Sequence, residues 1–163
     1  MANTQSMCTS FMQQLMVGEH QLGTATLVSR TSLTAPTTDT LKAALYLTTA
    51  TINAATTVYT VTGEVSGTNY TAGGVTVTNA TAPASTNTSA TAGVAFFTPS
   101  ASLTFTTVTL STAFDCVLLY NSTQSNKAIS VHTFGSQTVT SGTFTLTMPA
   151  NTTTTALLRL TTS

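Results

Sequence analysis

"LTFTTVTLSTAFDCVLLYNSTQSNKAISVHTFGSQTVTSGTFTLTM", residues 103–148, is the stretch that decides the fold class. It breaks into "LTFTTVTL", "AFDCVLLY", "AISVHTF" and "GTFTLTM", runs rich in β-branched and aromatic residues with no helical period. Between the later runs lie "NSTQSNK" and "GSQTVTS", polar and supplied with turn-forming residues. The reading is four short strands in succession. Upstream, "GVAFFT" (93–98), "GVTVTNA" (74–80), "TTVYTVT" (56–62), "LKAALYLT" (41–48) and "TATLVS" (24–29) have the same character, as does "TALLRL" (155–160) downstream. "TAPASTNTSATA" (81–92) is low-complexity and predicts an exposed loop. Strands every 8–14 residues, with no helical pattern between them, predict an all-β protein. The expected architecture is an antiparallel β-sandwich, jelly-roll or immunoglobulin-like, of roughly eight to ten strands.

Composition agrees with this reading. Of 163 residues, 43 are Thr and 16 are Ser. Thr is stiff at χ1 and suits pleated, half-buried surfaces. Charged residues make up only 5% of the chain and the net charge is zero, so electrostatic partners are not expected. Arg30, Lys42, Lys127 and Arg159 are scattered, whereas nucleic acid or an anionic membrane surface calls for clustered basic residues. No run approaches the length of a membrane span, and "MANTQSMCTSFMQQLMV" does not read as a secretion signal. Cys8 and Cys116 read as free thiols. A surface of this kind meets other polypeptides through shape, apolar area and backbone hydrogen bonds.

Residues 1–9 predict an extended arm. "SFMQQLMVGEHQLG" (10–23) then shows the one helical pattern, with Phe11, Met12, Leu15 and Met16 on one apolar stripe. Ser10 and Gln13 read as a capping box, and Gly18 or Gly23 as the left-handed stop. The chain thus divides into an N-terminal arm and helix (1–23) and a single sandwich domain (24–163). The arm and helix (1–22) are the expected anchor on a partner, because a two-turn apolar stripe must bury against something. "GEVSGTNYTAGGVTVTNAT" (63–81) holds one charged residue, Glu64, and four glycines. It reads as a long turn pinned by Tyr70 or, alternatively, as a tongue laid on a neighbouring subunit. The candidate interface residues are therefore Phe11, Met12, Leu15, Met16 and Tyr70.

Catalytic readings are weak. A triad would have to combine His20 or His132 with Asp39, Asp115, Glu19 or Glu64, and no nucleophile elbow is present. His132 in its strand is expected to face solvent or a neighbouring loop. Glu19 beside His20 lacks a second ligand cluster at metal spacing. "GTNYTAGG" lacks the lysine of a phosphate-binding loop. No catalytic, cofactor-binding or metal residues are assigned, and no cofactor is expected.

Six motifs in order carry a family resemblance: "SFMQQLMVGEH" (10–20), "DTLKAALY" (39–46), "YTVTGEVSGTNYTAGG" (59–74), "LLYNSTQSNKAI" (118–129), "HTFG" (132–135) and "TFTLTMPANTTTTALLRL" (143–160). Together they resemble a family of small Thr-rich structural proteins of tailed-bacteriophage virions, over roughly residues 10–160. "AFDC" (113–116) departs from the small-residue and arginine pattern of that family. The resemblance implies a non-enzymatic virion component made in the host cytoplasm. The expected role is a capsid decoration or cement protein, a homo-oligomer with a trimer favoured, docked on the major capsid protein or other virion proteins. The alternatives are a tail, neck or fibre-adaptor protein and, less favoured, a sugar-binding adhesin module.

Overall fold

The computed structural model describes residues 3–23, 37–78, 81–86 and 93–162. The strand expected at 24–29, most of the loop that follows it and the last part of the 81–92 loop lie outside these residues. The described elements are β1 (Ser6–Met7), α1 (Thr9–Met16), β2 (Leu41–Leu47), β3 (Val75–Thr76), β4 (Ala84–Ser85), β5 (Val94–Phe97), β6 (Leu103–Asn121), β7 (Lys127–Leu146) and β8 (Leu158–Thr161). They form an antiparallel sandwich-like fold, with a sheet ordered β1-β7-β6-β2-β3 and a second ordered β4-β5-β8. Phe97 and Leu158 of the second sheet join the same buried cluster as Leu45, Phe114, Leu118 and Ile129 of the first.

The stretch 103–148 makes two long strands where four short ones were expected. β6 runs straight through Ser111–Thr112, and β7 runs through the "GSQTVTS" that reads as a spacer. Bulges make this possible. The β6–β7 register shifts five times, and Thr107 (φ 53°) and Ser141 (φ 47°) sit at the shifts in left-handed backbone. A bulge absorbs extra residues on one strand and lets the ladder resume, so polar insertions do not end it. The hairpin turn is built by Asn121, whose Oδ1 accepts hydrogen bonds from the Thr123 and Gln124 N–H groups. Ser125 and Asn126 then take positive φ.

β2 is apolar on both faces. Leu41, Ala43, Ala44, Leu45 and Tyr46 are all buried, because one face meets the core and the other is covered by residues 59–74. The "TTVYTVT" run is not a strand. It contributes one isolated bridge, Val58 to Lys127, and otherwise serves as irregular covering.

From Asn3 onward the extended N-terminal segment packs onto this core. Asn3 is buried; its Nδ2 donates to Asp115 Oδ1 (2.6 Å) and its Oδ1 accepts from the Ile52 N–H. Ser6 and Met7 pair with Val131 and Ser130 of β7. Phe11 is 1% exposed and sits in the same buried cluster as Ile129 and Val131. The helix is capped two residues earlier than the expected capping box. Cys8 is the N-cap without a side-chain bond, and the Ser10 hydroxyl is buried without a partner. Its end matches expectation: Gly18 (φ 73°) bonds to Leu15 O and Glu19 to Gln14 O, the paired bonds of a Schellman stop.

Candidate functional site

All four tyrosines converge on the glycine-rich excursion, and Glu64 is its hub. Glu64 is buried, and its Oε2 accepts from Tyr59 Oη (2.6 Å). Its Oε1 accepts from Tyr70 Oη (2.7 Å) and from the Gly73 N–H (2.8 Å). Tyr120 Oη donates to the Gly73 carbonyl (2.8 Å), and Tyr46 Oη donates to the Thr60 carbonyl. Tyr70 Oη also accepts from the Leu45 N–H of β2 (3.0 Å). A single carboxylate thus holds residues 59, 70 and 73 against the outside of β2. Charge-assisted bonds of this kind are about twice as strong as neutral ones.

The glycines follow from this close approach. Gly74 has φ 67°, and a Cβ there would lie 1.8 Å from the Ala43 carbonyl oxygen. At Gly67 a Cβ would meet the Thr109 carbonyl oxygen at 2.0 Å, because the excursion lies against β6. Thr109 N–H donates to Thr68 O, and Asn69 Nδ2 donates to Thr107 O (2.8 Å). Tyr70 is the pin that the sequence suggests: it is partly buried, stacks on Phe105 and spends its hydroxyl inward. Burial first, and then the Glu64 carboxylate, push the Tyr70 and Tyr59 hydroxyls far above the usual tyrosine range. Burial, with the same carboxylate, pushes Tyr120 up to about 12. These hydroxyls are permanent donors.

A second polar latch ties the helix to the hairpin. His20, Asp39 and Asn121 are buried together beside Gln14. Asn121 Nδ2 lies 2.9 Å from His20 Nδ1 and 2.6 Å from Asp39 Oδ2, while His20 Nε2 lies 2.8 Å from Gln14 Oε1. An amide nitrogen can only donate, so Nδ1 accepts and the proton resides on Nε2. Burial lowers the His20 pKa, outweighing the opposing pull of Asp39 and Glu19. Glu19 pairs with Lys127.

The helix stripe splits. Phe11 and Leu15 turn inward, facing Phe97, Leu158 and Leu160 across a groove of about 280 Å³. Met12 is 42% and Met16 88% exposed, and with Val17 at 70% they form an outward apolar ridge. The sequence groups Phe11, Met12, Leu15 and Met16 on one face; the β7 surface accepts only the first and third.

The thiols and the second histidine have these surroundings. Cys8 and Cys116 are free and buried, their thiols pushed up by burial to about 11 and about 12. His132 is partly buried and faces the neighbouring loop at 147–157. It lines an apolar pocket with Leu146, Met148 and Leu157, its Nε2 is 2.8 Å from Ser130 Oγ, and burial lowers its pKa to about 4. Among the described residues no three His, Cys, Asp or Glu side chains gather as metal ligands. Sequence reasoning missed the Glu64 hub and the Asp39–Asn121 latch. The one available signal was Glu64 as the sole charge among nineteen residues flanked by tyrosines. Compared with known proteins, the chain matches no family model, no curated protein and no solved structure.

Proposed function

We propose that this chain is a non-enzymatic structural protein of a tailed-phage virion, a decoration or cement protein that docks on the assembled head. The single observation that carries the docking is the Met12, Met16 and Val17 ridge on a helix whose other face is anchored by Phe11. Exposed methionines beside a valine make an adaptable apolar contact for a protein surface. The motif resemblance over residues 10–160 supplies the virion context. The ionisable side chains support the same reading, since Glu64, Asp39 and His20 serve as latches for backbone segments.

Stabilisation would follow mass action. A protein that binds the lattice only when assembled adds RT ln(1 + [L]/Kd) per site, and bridging adjacent capsomers adds avidity. The rigid Glu64 and His20 latches hold the contacting surface in its bound form beforehand, which lowers the ordering cost of docking.

The experiment is co-sedimentation with virions stripped of this protein. Met16→Lys combined with Val17→Lys should leave the melting temperature within about 2 °C, because both side chains are solvent-facing and cations suit a helix C-terminus. Binding to particles should fall on the order of tenfold or more. Undiminished binding overturns the ridge as the docking surface. Copy number separates the stations: on the order of hundreds per particle identifies the head, and about six to twelve a tail or neck ring.

A further inference from the structure

The β6–β7 hairpin has two outer edges, and the molecule treats them differently. On the β6 side, Thr107 and Thr109 are covered by residues 67–69 through the Thr68–Thr109 bridge and the Asn69 side chain. On the β7 side, β1 pairs only with Ser130 and Val131. From Thr133 to Leu146 no described strand lies alongside, and Gly135, Ser136, Gln137, Thr138, Thr140, Ser141, Thr143 and Thr145 are exposed.

Natural sheets protect long edges with charges, prolines, bulges or short length. Residues 128–148 contain no Lys, Arg, Asp, Glu or Pro. β4 and β8 are short, with two and four residues, while β7 has twenty. Bulges break the edge as far as Ser141, but Gly142–Leu146 is different. Phe144, Thr145 and Leu146 pair in unbroken register with Phe105, Thr104 and Leu103. Along it Thr143 and Thr145 point outward, and Phe144 and Leu146 remain half-buried on the inner face. A two-stranded ribbon with a half-covered apolar face is marginal in water, and a third strand completes it.

The geometry points to this edge as a homotypic contact: residues 142–146 of one copy pair antiparallel with residues 142–146 of a second copy, about a two-fold axis at Phe144. The occupant is a second copy for two reasons. The segment is its own complement, since Gly142 then faces Leu146, Thr143 faces Thr145 and Phe144 faces Phe144. The chain also has zero net charge, so two identical copies meet without mutual repulsion. The product is a dimer, in place of the trimer expected from the resemblance. The contact goes beyond the proposed function and rests on it only for its biological setting. It is read on the isolated chain with no particle present, so its failure leaves the Met16–Val17 docking test untouched.

The test has two variants. Sedimentation velocity of the full chain at about 100 μM should give a dimer, and Thr143→Lys with Thr145→Lys should give a monomer, because cross-strand like charges repel. A monomeric parent chain overturns the proposal, as does a lysine variant that still dimerises. Should the lysine variant misfold, Thr143→Cys with Thr145→Cys decides. In the two-fold register these residues face each other at about the Cβ separation a disulfide spans. Oxidised glutathione should then yield a covalent dimer on non-reducing gels, while the parent's buried Cys8 and Cys116 stay unreacted. A cysteine variant that remains monomeric under oxidant overturns the register.

Discussion

The excursion at residues 63–74 and the outer half of β7, residues 134–146, are made of the same material. Both are rich in Gly, Thr and Ser, and they share one charged side chain between them. The first has almost no regular structure, yet Glu64, Val65 and Gly73 are buried in it. The second is continuous strand, bulged as far as Ser141, yet its side chains stand largely in solvent. Regularity and burial are therefore separate outcomes. The excursion is held by side-chain bonds to one carboxylate, and the ribbon by backbone pairing to β6. Which outcome a Thr-rich segment reaches depends on what lies beside it.

Removing Glu64 should break that contrast most severely. Glu64→Ala leaves the Tyr59 and Tyr70 hydroxyls and the Gly73 N–H without an acceptor, at a cost of ~3 kcal/mol. Thermal unfolding should show a fall of about 9 °C. Thr138→Ala on the ribbon is the matched control and should shift stability by less than ~0.5 kcal/mol. Equal effects at the two sites would remove the distinction between pinned and paired segments.

Acid should come next in size. His20 and His132 both have lowered pKa values in the fold, His132 to about 4, while the unfolded chain binds its protons near 6.5. Below that unfolded value the unfolded state takes up protons that the folded state refuses, so stability falls. The contribution is complete above about pH 7 and is lost from about 6.5 down through the folded pKa values. For His20 the surrounding groups are Asp39, Glu19 and Lys127. Denaturant titrations between pH 7.5 and 4.5 should show the slope, and His20→Gln and His132→Gln should each flatten it. An unchanged slope in both variants defeats the buried-neutral assignment.

Tyr70→Phe is the smallest and sharpest change. It keeps the ring on Phe105 and removes only the hydroxyl that links Glu64 to the Leu45 N–H. The expected loss is ~1 kcal/mol, read by chemical denaturation. Faster amide exchange confined to Leu45 and residues 64–74 would locate the loss in the pin. Exchange spread evenly over β6 and β7 would contradict it.

Much of the architecture was legible. β2 and β5 fall within the runs read as strands and β8 overlaps one, while α1 begins one residue before the one helical pattern and has its Gly18 stop inside it. Errors arose where a local pattern met a distant neighbour. "GSQTVTS" reads as a spacer because glycine and serine mark turns, but β6 lies alongside and the ladder continues through bulges. "TTVYTVT" has strand composition but no strand beside it apart from one bridge to Lys127. The stripe of Phe11, Met12, Leu15 and Met16 is wider than the groove available to it. Hence only Phe11 is fully buried, and Met16 is left outside. Of the candidate interface residues, Tyr70 was placed by its surroundings in a hydrogen-bonded network, and Met12 and Met16 on the surface.

By itself the sequence determined the all-β class and the position of one short helix. Those rest on local forces: β-branching, the spacing of apolar residues and the positive φ that glycine permits. Only the tertiary structure decided that Glu64 gathers Tyr59, Tyr70 and Gly73, that Asn121 joins His20 to Asp39, and that among the described residues one ribbon edge has a neighbour where its opposite has none. Each of those joins groups far apart along the chain or sets one strand against another, and no local pattern of residue types encodes which distant donor will find which acceptor.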